Sequence, residues 1–436
     1  MDKNQEKLIL EAVDNLFSKE IDFLSKLSSF PSTRGNEQDA QNFMAKELEN
    51  RKFDVDMWNI DVDDISHLDG FSPVLDNYED ALNVVATHKS KTNRGKSLIL
   101  NGHIDVVPTG PLEMWDRPPF EPYIKDDWMY GRGVGDMKAG IVSNLFALDA
   151  LRSLGYMPAA NVYFQSVVEE ECTGNGALAC LQRGYHADAA LIPEPFAEKL
   201  VTSQIGVIWF QVHLKGLPAH VYEAENGENA IEAVIPLITA LKEMEKRWNA
   251  PKDKNCHYEH IHNPLKLNIG KIAGGDWASS VPAWTTFDVR IAIYPGQDIN
   301  SAKEDIELTL KNASQNNAFL KKNEPTITYN GFLAEGYSLA DDTSDNSKLA
   351  IQTLEYANQI VNKNELEKIS ITATTDARFF GLYDSTPTLV FGPEARSIHG
   401  FNECVNLESV RRITQITALF IAKWCQLEKI QGDDNA

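Results

Sequence analysis

The stretch Leu98-Ile-Leu-Asn-Gly-His-Ile-Asp-Val-Val-Pro108 sets the architecture expected of the chain. Its apolar start fits a strand interior, Gly102 permits close approach of another backbone, and Pro108 ends the ladder. His103 and Asp105, two residues apart, then project at the strand's C-terminal edge. A carboxylate beside a histidine at such a point fits a metal ligand with its orienting partner. It fits equally a hydrogen-bonded histidine beside a surface aspartate, so the rest of the chain has to decide.

With 436 residues the chain exceeds the size at which a single core stops growing, and two domains are expected. Forty-one Lys and Arg against 63 Asp and Glu give a formal charge of -22. That balance argues against a nucleic-acid or anionic-membrane partner, both of which attract basic surfaces, and an anionic substrate needs local cations. The opening residues Met1-Asp-Lys-Asn-Gln-Glu-Lys7 lack the basic-then-apolar pattern of a signal peptide. No uninterrupted apolar run approaches the roughly 18 residues of a membrane span. A soluble, cytoplasmic protein with no nucleic-acid or membrane partner is therefore expected. Its five cysteines are scattered and without CxxC spacing, which points to reduced packing residues and not to a disulfide framework or a thiolate zinc site.

Along the chain, apolar periodicity predicts helices over 3–27 and 37–51 and a strand over 53–60, followed by an exposed insertion at 61–79 rich in Asp, Gly and Ser. Strands follow at 81–87 and 96–103, then a long Pro-, Trp- and Asp-rich loop at 108–126, a candidate functional loop. Gly131-Arg-Gly-Val-Gly-Asp-Met-Lys-Ala-Gly140 opens a helix, and its glycines match neither a Walker loop nor a dinucleotide fingerprint. Strands at 161–168 and 187–192 end in Glu169-Glu170-Glu171 and Pro193-Glu194-Pro195, and the alternation of strands with helices predicts an α/β sheet.

From Gly206 the order becomes strand, helix, strand, strand, helix, strand, the ferredoxin-like split βαβ pattern. Residues 206–330 are thus expected to form an inserted α+β domain, with 1–205 and 331–436 forming the other. The second part carries helices at 346–359 and 407–427, a strand at 386–391, and a loop with His399.

His103, Asp136, Glu171, Glu194 and His399 each follow a strand end or sit in the loop after one. In open α/β sheets ligands bind beyond the carboxyl ends of the strands. Singly, each has an ordinary reading: Asp136 as a helix N-cap, the Glu169 to Glu171 run as a solvated turn, Glu194 and His399 as surface groups. Together they form a nitrogen- and oxygen-lined site suited to zinc, with manganese or cobalt as substitutes. Carboxylates so clustered repel one another unless a cation neutralises them.

The stretches GHIDVVP (102–108), GRGVGDMKAG (131–140), VVEEE (167–171), IPEP (192–195) and SIHGFNE (397–403) resemble, in order and over nearly the whole chain, those of the co-catalytic zinc aminoacylases. That family includes acetylornithine deacetylase, succinyl-diaminopimelate desuccinylase, aminoacylase and glutamate carboxypeptidases. The resemblance implies a zinc-exopeptidase-like catalytic domain, a mixed sheet flanked by helices, with the inserted domain acting as lid and dimerisation element. It implies two zinc ions per subunit, one on His103 and Glu194, the other on Glu171 and His399, bridged by Asp136. Asp105 then orients His103, Glu170 is the general base, and Glu169 stays outside the ligand set.

In the inserted domain, Gly216-Leu-Pro-Ala-His220 resembles a lid segment whose histidine reaches the partner subunit's active site and stabilises an oxyanion, which implies a homodimer. Asn268 and Arg290 resemble lid residues that bind substrate, and Arg378 resembles a crevice arginine suited to a carboxylate. The implied activity is removal of an acyl group from an N-acylated amino acid or related amine. A dipeptidase or carboxypeptidase of the same chemistry is the alternative. A non-catalytic binding scaffold is a remote one, because all five ligands and the base are present.

Overall fold

The computed structural model describes residues 1–75, 77–250 and 255–430; Asp76 of the insertion, residues 251–254 of the expected inserted domain and residues 431–436 of the segment 331–436 lie outside the described residues. A nine-stranded sheet runs in the order Asp54–Asn59, Leu82–His88, Val162–Val167, Leu98–His103, Ala190–Ile192, Thr388–Val390, Leu200–Gln204 and Tyr337–Ser338, with Lys368–Ile371 also paired to Leu200–Gln204. Its centre is parallel: Leu98–His103 lies between Val162–Val167 and Ala190–Ile192, and Thr388–Val390 follows in the same direction. Antiparallel pairs flank that centre, so the sheet is mixed. Every residue of Leu98–His103 is buried, as expected where both faces of a parallel strand are covered.

Helices Lys3–Ser28, Ala139–Ser153 and Leu407–Trp424 share one core with this sheet through Ile9, Leu24, Leu145, Leu148, Ile416 and Phe420. Asp2 caps the first by accepting the Asn4 and Gln5 N–H groups, and Asn406 caps the last by accepting the Ser409 N–H. Ala139–Ser153 is buried almost all round, which marks it as the central helix. Gly102 makes its docking possible. A Cβ there would lie 2.7 Å from Ile141 Cγ1 and 3.2 Å from Met137 Cε.

The second sheet has the order Leu267–Gly274, Trp284–Ile293, Gly206–Lys215, Thr326–Thr328, with Leu333–Ala334 also on Gly206–Lys215, and all pairs are antiparallel. Numbered along the chain, the four main strands stand 2-3-1-4, the ferredoxin-like arrangement. Ile208, Phe210, Val212 and Leu214 alternate into a core closed by Leu237 and Leu241 of helix Ala230–Trp248 and Ile306 and Leu310 of helix Ile299–Gln315. Among the described residues no helix is long and apolar enough to cross a membrane.

The structure departs from the sequence expectation at several points. The α-helix after the glycine-rich segment starts at Ala139, with Lys138 as its N-cap residue, so Asp136 lies before it in a non-helical conformation (φ -115°, ψ 98°). The insertion at 61–79 is only partly exposed. Val62–Ile65 is a short helix, and Ser72 and Tyr78 are buried because Asn175 accepts the Ser72 N–H, donates to the Ser72 carbonyl and donates to the Tyr78 hydroxyl. The insertion also meets the second sheet: Leu333 N–H donates to Ser72 Oγ, and Gly331 N–H to the Pro73 carbonyl.

Candidate active site

The parallel centre of the large sheet aims its strand ends at one edge. His103 is the last residue of Leu98–His103, Glu170 and Glu171 follow Val162–Val167, Glu194 follows Ala190–Ile192, and His399 lies on the loop after Thr388–Val390. Asp136 sits between the two histidines. Its Oδ1 is 3.1 Å from His103 Nε2 and its Oδ2 is 3.3 Å from His399 Nε2. On one side Glu194 Oε1 lies 3.6 Å and Glu170 Oε2 3.8 Å from His103 Nε2; on the other, Glu171 Oε2 lies 3.1 Å from His399 Nε2. The His103 side chain is wholly buried, whereas that of His399 is 53% exposed, so the pocket opens on the His399 side.

Charge dominates this pocket. Burial disfavours the His103 imidazolium, yet the carboxylates of Glu170, Asp136, Glu194 and Asp105 outweigh it and raise its pKa well above the ordinary 6.5. His399 is pushed up to about 11: burial opposes protonation, but Glu171 and Asp136 favour it more. Burial raises Glu170 and Glu194 well above the usual carboxylate range, helped by each residue's acidic neighbours and opposed by His103. Burial acts on Asp136 too, but hydrogen bonds to His103 and His399 hold it below that range.

The donor set fits a metal. His103, Asp136 and Glu171 form one group, and His103, Glu170 and Glu194 another, in which single ligand atoms lie within 4.8 Å of one another. The buried Oε1 of Glu171 has no hydrogen-bond partner among the described residues. Two imidazoles with carboxylates make a borderline, mixed nitrogen and oxygen set.

Asp105 is beside His103, as its spacing predicted, but its carbonyl oxygen, and not its carboxylate, is hydrogen-bonded to His103 Nδ1, at 2.9 Å. Its Oδ1 stands 3.7 Å from that nitrogen, while Oδ2 accepts the Glu171 N–H at 3.1 Å. Asp105 therefore links a residue on each side of the cluster. Burial raises its carboxyl to about 7, with His103 opposing.

The remaining candidates lie apart from this cluster. His220 is exposed, and its Nδ1 accepts the Tyr222 N–H. Asn268 and Arg290 face each other across paired strands, and Arg290 reaches the Lys266 and Thr372 carbonyls. Arg378 is 1% exposed, donates to the Gly70 and Thr173 carbonyls and lies over the Phe379 ring, so it ties the insertion to the turn that follows Glu171.

Several polar residues outside the expected ligand set also border the cluster. Glu169 accepts Arg34 Nε at 2.5 Å and Thr173 Oγ1 at 3.0 Å, fixing the turn that presents Glu170 and Glu171. Asp376 is buried, and burial raises it to about 7 with His103 opposing. Glu403 is buried beneath the Asp136 segment. Its place at the end of the SIHGFNE stretch, four residues after His399, was the available signal.

A family model described as peptidase family M20/M25/M40 matches residues 99–423. The chain is 27% identical over 98% of its length to an N-formyl-4-amino-5-aminomethyl-2-methylpyrimidine deformylase of Halalkalibacterium halodurans, of which it covers 97%. It is 28% identical over 75% of its length to a succinyl-diaminopimelate desuccinylase of Polynucleobacter necessarius, of which it covers 82%. Among solved structures, a dipeptidase of Saccharomyces cerevisiae shares the fold with a TM-score of 0.79 at 16% identity, over 98% of this chain and 99% of that one. With three-quarters of its residues inside the family match, the chain belongs to peptidase family M20/M25/M40, hydrolases of amide bonds.

Proposed function

We propose that the protein is a dinuclear zinc deacylase that releases a primary amine from an N-acylated amine or amino acid. One observation carries this reading: Asp136 directs one carboxylate oxygen to each of two histidines, with Glu194 near the first and Glu171 near the second. His103 and Glu194 would hold one ion, Glu171 and His399 the other, and Asp136 both. Cobalt or manganese suits the same donors. When bound, such a pair supplies a Lewis acid for the scissile carbonyl and lowers the pKa of water. Glu170, adjacent to a ligand but not itself spent on metal in this assignment, takes the proton from water and passes it to the leaving amine. A simple acyl group is favoured over an amino-acyl group by the deformylase, to which the chain is similar over nearly its full length.

In the same proposal residues 206–330 form a lid that also joins two subunits, His220 serves the partner's site, and Asn268 and Arg290 meet the substrate. The support is a set of exposed apolar residues: Ile231 and Ile235 on the lid helix, Ile272 on the edge strand Leu267–Gly274, Tyr222 on the short 3-10 helix Val221–Asn226 and Trp277 in a loop. Exposed apolar side chains on and around an edge strand suit a self-complementary interface. A reducing, cytoplasmic setting fits the five free cysteines.

The test is a screen of zinc-loaded protein against formyl-, acetyl- and succinyl-amines and dipeptides, reading released amine, with Glu170→Gln in parallel. Release from an acyl amine, lost in Glu170→Gln at unchanged zinc content, is the expected result. Release from dipeptides alone would move the substrate class to peptides, and a fully active Glu170→Gln would sink the base.

A further inference from the structure

Glu403 lies on the His399 loop, but its carboxylate turns to the segment that delivers Asp136. Oε1 accepts the Gly135 and Asp136 N–H groups at 2.9 and 3.1 Å; Oε2 accepts the Gly133 N–H at 3.1 Å and Arg132 Nη1 at 2.5 Å. Both side chains of this ion pair are at most 2% exposed. Arg132 Nη2 donates onward to the Gly400 carbonyl at 3.1 Å and the Pro108 carbonyl at 3.4 Å, and the guanidinium lies over the Trp115 ring. The pair thereby ties together the chain after His103, the segment before Asp136 and the loop carrying His399.

Burying two charges is costly, and breaking such a pair is more costly than never having made it. A hydrophobic pair would fill the space, but it could not serve the main-chain donors. Asp136 stands outside the helix that follows, and its amide is taken by Glu403, not by a carbonyl one helical turn back. That hydrogen bond fixes the backbone from which the Asp136 carboxylate must reach two histidines at once. His399 is held by the same loop as Glu403, so one residue governs the spacing of bridge and second histidine.

We propose that Glu403, supported by Arg132, is a positioning residue that sets Asp136 against His399 and so determines how tightly and in what geometry the site holds its metals. This rests on the metal-site reading above. Groups that orient metal ligands from behind typically change metal affinity or activity by about 10- to 100-fold when removed.

The experiment compares wild type, Glu403→Gln, Glu403→Asp and, as a control ion pair away from the site, Asp149→Asn, whose carboxylate meets Arg51. Zinc affinity is read by chelator competition, cobalt-loaded protein by its visible spectrum, and the metal-free fold by its thermal midpoint. The expected result is zinc binding weakened about 10- to 100-fold in Glu403→Gln and less in Glu403→Asp. The cobalt spectrum should change as well, while Asp149→Asn loses stability but binds zinc like wild type. Should Glu403→Gln fail to fold, Glu403→Asp carries the same readout. Wild-type affinity and spectrum in whichever Glu403 variant folds would overturn the proposal and leave the metal site standing; a wild type that binds no zinc or cobalt would overturn both.

Discussion

Glu20 supplies a quantitative test of the fold behind the site. It lies on helix Lys3–Ser28 with no exposed surface, its Oε1 accepts the Thr414 hydroxyl at 2.5 Å, and its Oε2 has no hydrogen-bond partner among the described residues. Burial pushes its carboxyl from the ordinary 4.5 up to about 8, with Asp149 adding to the effect and Thr414 and Ser143 opposing it. The folded state therefore binds a proton that the unfolded chain has released, and stability falls as pH rises from 4.5 to about 8. Over that window the loss is roughly 5 kcal/mol, a large share of the ~5–15 kcal/mol that holds typical domains together.

Glu20→Gln removes the titration and keeps the shape. Its carbonyl can still accept from Thr414, and its amide replaces an oxygen that lacks a donor. The variant and wild type should be nearly equal near pH 5, and the variant should be ahead by several kcal/mol at pH 9. Urea unfolding at pH 5, 7 and 9 measures this, with a chelator present throughout so that metal binding does not contribute. A stability difference that stays flat with pH, or a variant weaker than wild type at pH 9, would refute the argument that this carboxyl is buried and protonated.

Three further substitutions probe the site and the interface. Gly102→Ala places a Cβ 2.7 Å from Ile141 Cγ1 and next to His103, so it should cost about 1–3 kcal/mol and lower zinc affinity, read by denaturation and chelator competition; unchanged values would mean that helix and strand are less tightly docked than they stand. On the proposed dimer, Ile235→Glu, at a position 62% exposed, should leave the fold intact yet give monomers in sedimentation and lower turnover, and His220→Ala should lower kcat by ~10²–10³ without changing the assembly state. A monomeric Ile235→Glu protein of full activity would end the cross-subunit role.

The parts of the fold that were legible in the sequence are those where hydrophobicity carries the signal. Gly206–Lys215 alternates with period two and Ala230–Trp248 follows a helical stripe, so the inserted unit could be ordered strand by strand. Strands Leu200–Gln204, Tyr337–Ser338 and Lys368–Ile371 were missed because they are short and rich in Ser, Thr, Gln and Lys. What makes them strands is the neighbour they pair with, not their own pattern. The same applies to the small sheet of Ala395–Arg396, Cys404–Asn406, Trp128–Tyr130 and Tyr123–Lys125, whose strands have two or three residues each.

Buried charge was harder to see, because a hydropathy pattern assigns charge to the surface and only distant partners reverse that assignment. Glu169, Glu170 and Glu171 are chemically identical neighbours with different surroundings: Glu169 meets Arg34, Glu170 lies near His103, and Glu171 meets His399. The turn that separates them begins with Glu169 at φ 71°, and its carbonyl accepts the Cys172, Thr173 and Gly174 N–H groups. Residue type alone does not say which glutamate is structural, although the resemblance of VVEEE sets Glu169 outside the ligand set. That is decided by one arginine 135 residues earlier, which takes the first carboxylate and leaves the next two for the cleft.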